Sequence, residues 1–161
     1  MNISIDLNKI TLPNVYFLEK KTNLIMDGNF TKIIYSNDCF TMNGLYVLFP
    51  IEVLNLDKIG TKVILKFNPY QTCNATIIQE FSKLELRILE YYKNLYRCKG
   101  KISTFLSRQM YTGSMKLYKD YNSSDIKKKN VQYIIKISGV WETYDEIGIT
   151  YKLMEVNEDY L

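Results

Sequence analysis

The sequence of 161 residues contains no histidine. This absence excludes Ser-His-Asp and Cys-His nucleophilic sites, together with every zinc or iron site that uses an imidazole ligand. Cysteine is scarce, because Cys39, Cys73 and Cys98 are the only three and no two of them form a Cys-x-x-Cys pair. We therefore expect free, buried thiols, and neither a disulfide framework nor a structural zinc site.

Long apolar runs and glycine-rich nucleotide motifs are also lacking. No stretch approaches the roughly 18 consecutive apolar residues of a membrane span. Residues 1–12 include Asp6, Asn8 and Lys9 and offer no small-residue cleavage site, which argues against a secretory signal. The seven glycines form neither a Gly-x-Gly-x-x-Gly motif nor a P-loop. The sequence thus predicts a globular, cytoplasmic protein with no membrane contact and no cofactor.

The net charge of +4 is distributed unevenly along the chain. Residues 99–136 carry nine basic and two acidic side chains, whereas residues 137–161 carry one basic and six acidic side chains. Clustered lysines release condensed counterions when they meet phosphates, so the basic segment indicates a polyanionic partner. A solvated surface that only maintains solubility is the alternative interpretation of these charges.

Residues 76–98 predict one long amphipathic helix. Apolar side chains recur there at helical spacing, at Ile77, Phe81, Leu84, Ile88 and Leu95. We expect Asn74 or Thr76 to cap the start of the helix, and Gly100 to end it in a left-handed conformation.

Short apolar or alternating runs predict strands on both sides of the helix. These runs are residues 2–7, 15–18, 32–35, 45–49, 61–67, 115–119, 131–141 and 147–153. Alternation assigns the following side chains to core faces: Tyr133, Ile135, Ile137 and Trp141 in one strand, and Ile147, Ile149, Tyr151 and Leu153 in the next. The pattern predicts a mainly β chain, an OB-fold-like antiparallel β-barrel with one long inserted helix.

Aromatic residues alternate with the bases of residues 99–136. Binding of single-stranded nucleic acid uses both types, because bases stack on aromatic rings, worth roughly 1 to 3 kcal/mol per base, while lysines follow the phosphates. Lys116 and Tyr118 are predicted to share the exposed face of their strand. Candidate binding residues are Arg108, Tyr111, Lys116, Tyr118, Lys119, Tyr121, Lys127, Lys128, Lys129 and Lys136.

Two further segments have alternative interpretations. Asp6 with Glu19-Lys20-Lys21 superficially matches an acid-acid-lysine arrangement that holds magnesium in some nucleases, at a spacing that also arises by chance. Residues 155–161 form a short acidic tail beyond a domain of residues 1–154. This tail could compete with nucleic acid or recruit partner proteins, or it could be a frayed terminus.

The sequence of residues 133–143, YIIKISGVWET, continued by GITYK at residues 148–152, resembles the closing hairpin of a family of viral proteins. These are small single-stranded DNA-binding proteins of large DNA viruses and virus-like linear cytoplasmic plasmids. The acidic C-terminal residues also resemble the tail of phage and bacterial single-stranded DNA-binding proteins. The resemblance implies an OB-fold, a role in genome replication and no catalysis.

We therefore expect a sequence-nonspecific single-stranded DNA-binding protein that acts in replication of a virus or virus-like element and is not an enzyme. Expected partners are single-stranded DNA, replication proteins recruited by the acidic tail, and a homo-oligomer. The alternative is a non-enzymatic protein-interaction module of viral replication or transcription.

Overall fold

The strands form one mixed sheet. The computed structural model describes residues 4–23, 27–118 and 131–157. Within this part the strands are β1 (Val15–Asn23), β2 (Gly28–Ser36), β3 (Thr41–Met42), β4 (Leu45–Leu48), β5 (Val53–Ile59), β6 (Lys62–Phe67), β7 (Lys101–Ile102), β8 (Ser114–Tyr118), β9 (Val131–Thr143) and β10 (Glu146–Asn157). Their order is β1-β2-β9-β10-β8-β6-β5, with β3 paired to β2, β4 to β9 and β7 to β10.

The prediction of a mainly β chain is confirmed, but the strand directions differ from the expectation. β10 runs parallel to β7 and to β8, so the prediction of a wholly antiparallel sheet is wrong. The strand that follows β8 in the chain, β9, does not pair with it. Instead β10, which runs antiparallel to β9, lies beside β8 and has the same direction as β8. Among the described strands the sheet is not closed, and β1 and β5 form its two ends.

Helix α1 (Thr72–Tyr96) covers most of the predicted helix but begins and ends elsewhere. Asn74 is fully buried and does not cap, because its side chain binds the backbone of Glu52 and Asn68. The left-handed residue after the helix is Arg97, with φ of 51°, and not Gly100. No helix in the described part of the chain combines the length and apolar character that crossing a membrane requires.

The hydrophobic core lies between the sheet and the apolar stripe of α1. Ile78, Phe81 and Ile88 of that stripe are completely buried. The rings of Phe81 and Phe49 meet edge to face with their centroids 5.4 Å apart, a favourable aromatic geometry. The predicted core face of β10 is confirmed for Ile147, Ile149 and Leu153, which are all buried. The helical and strand periodicities thus identify most of the core, but the placement of Leu95 on the apolar stripe is wrong, because Leu95 lies at the last turn of α1 and is 56% exposed.

Several local predictions are wrong. Of the predicted strand 2–7, residues 4–7 are described, and among these only Ile5 is bridged to a strand, through Val47, while Leu7–Lys9 form a 3-10 helix. Neither β5 nor the short helix α2 (Phe105–Tyr111) was predicted. The cysteines are free as expected, but Cys39 and Cys73 are exposed.

The predicted boundary between domain and tail, after residue 154, falls inside strand β10. Strand β10 continues through residues 155–157, where Glu155 and Val156 pair with Tyr133 and Gln132 of β9. The rest of the acidic segment, residues 158–161, lies outside the described residues. The first part of that segment is therefore an extension of the sheet.

Candidate nucleic-acid interface

A groove runs along one side of β10, between its two parallel neighbours. β10 pairs with β7 at Glu146 and Ile147 and with β8 at Leu153 and Met154. No described strand pairs with that side of β10 between these two contacts, and α2 contributes Phe105 to the wall there. The groove has a volume of about 570 Å³. The aromatic residues that line it in the described structure are Phe30, Phe105, Tyr118, Trp141 and Tyr151.

Glycines fix the positions of the Phe30 and Trp141 rings in this groove. The two residues are directly opposite each other in the pairing of β2 with β9. A β-carbon added to Gly139 would lie 2.6 Å from Cζ of Phe30, and one added to Gly148 would lie 2.2 Å from Cζ2 of Trp141. Each ring thus lies against a strand where only glycine leaves room for it, which defines this wall of the groove.

The other aromatic rings come from α2, β8 and β10. The Phe105 and Tyr151 rings have centroids 6.3 Å apart. Burial, with the nearby charges of Glu85 and Tyr118 acting in the same direction, raises the pKa of Tyr151 to about 12. Tyr151 therefore keeps its hydroxyl proton at neutral pH and offers a hydrogen-bond donor together with an aromatic ring.

Basic side chains lie beside these rings. Arg108 places its guanidinium carbon 5.9 Å from the centre of the Phe105 ring. Lys116 and Lys152 place their ammonium groups 4.9 Å and 5.3 Å from the centre of the Tyr118 ring. These cation–π contacts set positive charge at the margin of the groove, where a phosphate could reach it.

Lysines also continue the positive charge onto neighbouring strands. Lys136 of β9 is directly opposite Lys152 of β10, so their side chains share one face of the sheet. Lys32 of β2 is opposite Gly139 on β9, next to the wall formed by Phe30. Positive charge therefore extends from β8 across β10 and β9 to β2.

A buried carboxylate holds α2 against α1. Glu85 of α1 accepts hydrogen bonds from the backbone N–H of Leu106 at 2.9 Å and of Ser107 at 3.0 Å, and also from the Ser107 hydroxyl. Burial raises the pKa of Glu85 above its usual value, although these hydrogen bonds and the charge of Arg108 act in the opposite direction. Glu85 thereby positions the helix that supplies Phe105 and Arg108.

A second polar cluster surrounds Glu142, near the end of β9. Its carboxylate accepts from Lys20 at 2.8 Å, from the Tyr92 hydroxyl at 2.9 Å and from the Cys98 thiol at 3.4 Å. Burial alone would raise the pKa of Glu142, but these three donors together lower it below its usual value. Lys20 of the acid-acid-lysine pattern is therefore part of an ion pair that links β1 to β9.

The structure brings together some of the candidate binding residues. Arg108, Lys116 and Tyr118 lie at the groove, and the shared exposed face predicted for Lys116 and Tyr118 is confirmed. Lys136 lies farther along the sheet, with its ammonium group 5.3 Å from the centre of the Tyr46 ring. Tyr111 is exposed at the end of α2 and does not line the groove. The remaining candidates, Lys119, Tyr121, Lys127, Lys128 and Lys129, lie outside the described residues.

The assignment of Trp141 to the core is wrong. Between Ile137 and Gly139 the pairing of β9 with β10 shifts register, which leaves Ser138 unpaired. This bulge reverses the alternation, so Val140 is buried and Trp141 moves to the groove. Gly139 is the available sequence signal, because a glycine inside a strand often marks a bulge. Periodicity singled out neither Phe30, which lines the groove, nor Lys152, which lies at its margin. Tyr151, which alternation assigned to the core face of β10, is half-buried and packs against the core, and it also lines the groove.

Compared with known proteins, the chain matches no protein-family model, no curated protein and no solved structure. Function is therefore inferred from the chemistry of the groove and from its surroundings. The groove supplies aromatic rings, and the lysines beside Tyr118 supply positive charge on the same side of the sheet.

Proposed function

We propose that this protein binds single-stranded DNA without sequence preference and that the aromatic groove beside β10 is its binding site. The observation that carries the proposal is the meeting of aromatic rings from four elements, β2, α2, β8 and the β9–β10 hairpin, with Arg108, Lys116 and Lys152 at their margin. Unpaired bases would stack on the rings while the basic groups contact phosphates. Duplex DNA keeps its bases stacked inside the helix, so it should bind more weakly.

The electrostatic part of the proposal extends beyond the groove. Lys136 and Lys32 continue the positive charge across the sheet, and the proposal adds Lys119 and the lysine run 127–129 to the phosphate-binding surface. Phosphate contacts position a strand without reading its bases, which suits a protein that coats DNA of any sequence. Replication of a viral or virus-like genome in the cytoplasm exposes such strands, and no catalytic step is assigned to the protein.

Two finer points belong to the same proposal. An OB-fold is a partly open barrel, so an unclosed, mainly β sheet with an inserted helix is compatible with that class. The acidic C-terminal residues are proposed to recruit replication proteins, because they oppose the basic segment in charge. Both points rest on the resemblance of residues 133–143 and on charge, not on the groove.

The test uses the only tryptophan of the chain, Trp141, which lies in the groove. Titration with oligothymidine should quench its fluorescence, because a base stacks on or near the indole, whereas duplex DNA at the same salt concentration should have little effect. Trp141→Ala and Phe105→Ala should each weaken binding of a labelled oligonucleotide by roughly tenfold, the equivalent of about 1.4 kcal/mol.

The matched control is Tyr144→Ala. Tyr144 is an aromatic residue that is 96% exposed in the turn between β9 and β10, and it does not line the groove. Its replacement should leave affinity unchanged. Absence of oligonucleotide binding at low salt would refute the proposal and favour the protein-interaction module. An equal loss of affinity in Trp141→Ala, Phe105→Ala and Tyr144→Ala would show that DNA does not use the groove.

A further inference from the structure

Polar groups lie among the aromatic rings of the groove. Gln109 of α2 and Thr150 of β10 line it together with the rings, and the half-buried Tyr151 adds its hydroxyl. In the described part of the chain no hydrogen bond engages the Gln109 amide, the Thr150 hydroxyl or the Tyr151 hydroxyl. Three side-chain groups that can each donate and accept are thus available to a ligand.

The backbone directs the Gln109 and Thr150 side chains toward the groove. Gln109 follows Phe105 by four residues in α2, so these two side chains share one face of the helix. Thr150 is directly opposite Gly139, the residue against which the Phe30 ring lies. The amide and the hydroxyl therefore lie beside aromatic rings on two sides of the groove.

The size and the margin of the groove suit one base of a strand. Its volume of about 570 Å³ lies within the range of about 300 to 1,000 Å³ that is typical of small-ligand sites, so the groove can enclose a ring. Lys116 and Lys152 lie at the margin, where they can contact the phosphates on either side of an enclosed base. Rings, hydrogen-bonding groups and flanking positive charge together match a nucleotide that is held within a strand.

We propose that Gln109, Thr150 and Tyr151 bind the pairing edge of one unstacked base in the groove. This contact rests on the proposed DNA-binding function and adds recognition of the base itself. The pairing edge of every DNA base carries a hydrogen-bond donor beside an acceptor. An amide and two hydroxyls can match any such edge, because the hydroxyls rotate to donate or to accept. In duplex DNA the partner base occupies this edge, so the contact selects unpaired bases without selecting a sequence.

The test compares a pair of single-stranded probes of the same length and charge. One probe is oligothymidine, and the other carries difluorotoluene in place of thymine. Difluorotoluene has the shape of thymine and stacks on aromatic rings, but it lacks the hydrogen-bonding edge. In anisotropy titrations the wild type should bind the difluorotoluene probe about tenfold more weakly, which is the effect of one or two lost hydrogen bonds.

Gln109→Leu, Thr150→Val and Tyr151→Phe remove the polar groups with little change in side-chain size. Each variant should weaken binding of oligothymidine about fourfold but should leave binding of the difluorotoluene probe unchanged, because that probe makes no hydrogen bond to these groups. None of the three groups has a hydrogen-bond partner in the described structure, so the variants should unfold at the same temperature as the wild type. The matched controls are Gln79→Leu and Thr22→Val, at exposed positions of α1 and β1, and they should bind both probes as the wild type does.

The outcomes separate this base contact from the proposed function. A wild type that binds neither probe at low salt would overturn both. Equal affinity of the wild type for the two probes would overturn the base contact and leave DNA binding by stacking and phosphate contacts intact. Variants that bind oligothymidine as the wild type does, or that lose affinity equally for both probes, would have the same consequence. Displacement of oligothymidine by an equal concentration of thymidine monophosphate would show that the groove holds free nucleotides, and would overturn the contact with a base of a strand.

Discussion

At the scale of single residues, Glu85 supports one wall of the groove by binding the start of α2. Glu85→Ala removes the acceptor for two buried N–H groups at the start of α2 and should destabilise the protein by about 1 to 3 kcal/mol. Weaker oligonucleotide binding should accompany the loss, because α2 positions Phe105. Urea denaturation and anisotropy titration measure the two effects. Glu90→Ala, an exposed glutamate on the same helix, is the control and should change neither.

Glu142 should make the stability of the protein depend on acidity. Its pKa is lowered in the folded state, so its stabilising contribution is present above the unfolded value of about 4.5 and is lost as pH falls through the lower folded value. Glu142→Gln removes the titrating group, and the free energy of unfolding should then fall less steeply on acidification. Denaturant unfolding at a series of pH values checks this. Parallel curves for the wild type and the variant would contradict it.

At the scale of elements, the contact of β9 with β10 determines where Trp141 lies. Gly148→Ala places a methyl group 2.2 Å from Cζ2 of the indole, so the ring must move. The emission of Trp141 should change in wavelength, and oligonucleotide binding should weaken with it. Gly60→Ala in the β5–β6 hairpin is the control, because the left-handed φ of 62° makes alanine unfavourable there, while an added β-carbon would lie more than 4 Å from every atom outside the two adjacent residues. That variant should lose stability without any change in Trp141 emission.

The β9–β10 hairpin also shows how one extra residue alters a face. Before the bulge, alternation correctly places Ile135 and Ile137 in the core, where both are fully buried, although Ile134 on the opposite face is buried as well. Beyond the bulge at Ser138 the same rule gives the wrong face, because the extra residue reverses the side-chain directions. A groove residue was consequently taken for a core residue.

At the scale of the whole molecule, the distribution of charge should determine how binding responds to salt. Each phosphate contact to single-stranded nucleic acid contributes about 0.7 to the slope of log affinity against log salt concentration. Lys116→Gln and Lys152→Gln should each reduce the slope by about that amount and should do so similarly for all sequences. Lys83→Gln is the control, because Lys83 is exposed on α1 and pairs with Glu80. An unchanged slope in the first two variants would place the phosphate path elsewhere.

The sequence by itself determined the elements whose signal is local and repeated. The apolar stripe of α1, the core face of β10 at Ile147, Ile149 and Leu153, and the exposed pair Lys116 and Tyr118 all follow from periodicity, because helix and strand geometry repeat with fixed periods. The basic and aromatic character of residues 99–136 was likewise visible in the sequence.

Only the tertiary structure decided which residues meet in the groove. Phe30 and Trp141 are opposite each other because β2 pairs with β9, more than a hundred positions away in the chain. Phe105 joins them because the buried Glu85 holds α2 against α1, and α2 is too short to give a periodic signal in the sequence. Asn74, which the sequence offers as a helix cap, instead lies inside α1 and binds the distant backbone of Glu52. These outcomes depend on contacts between remote residues and on one bulge, and neither leaves a repeating pattern in the sequence.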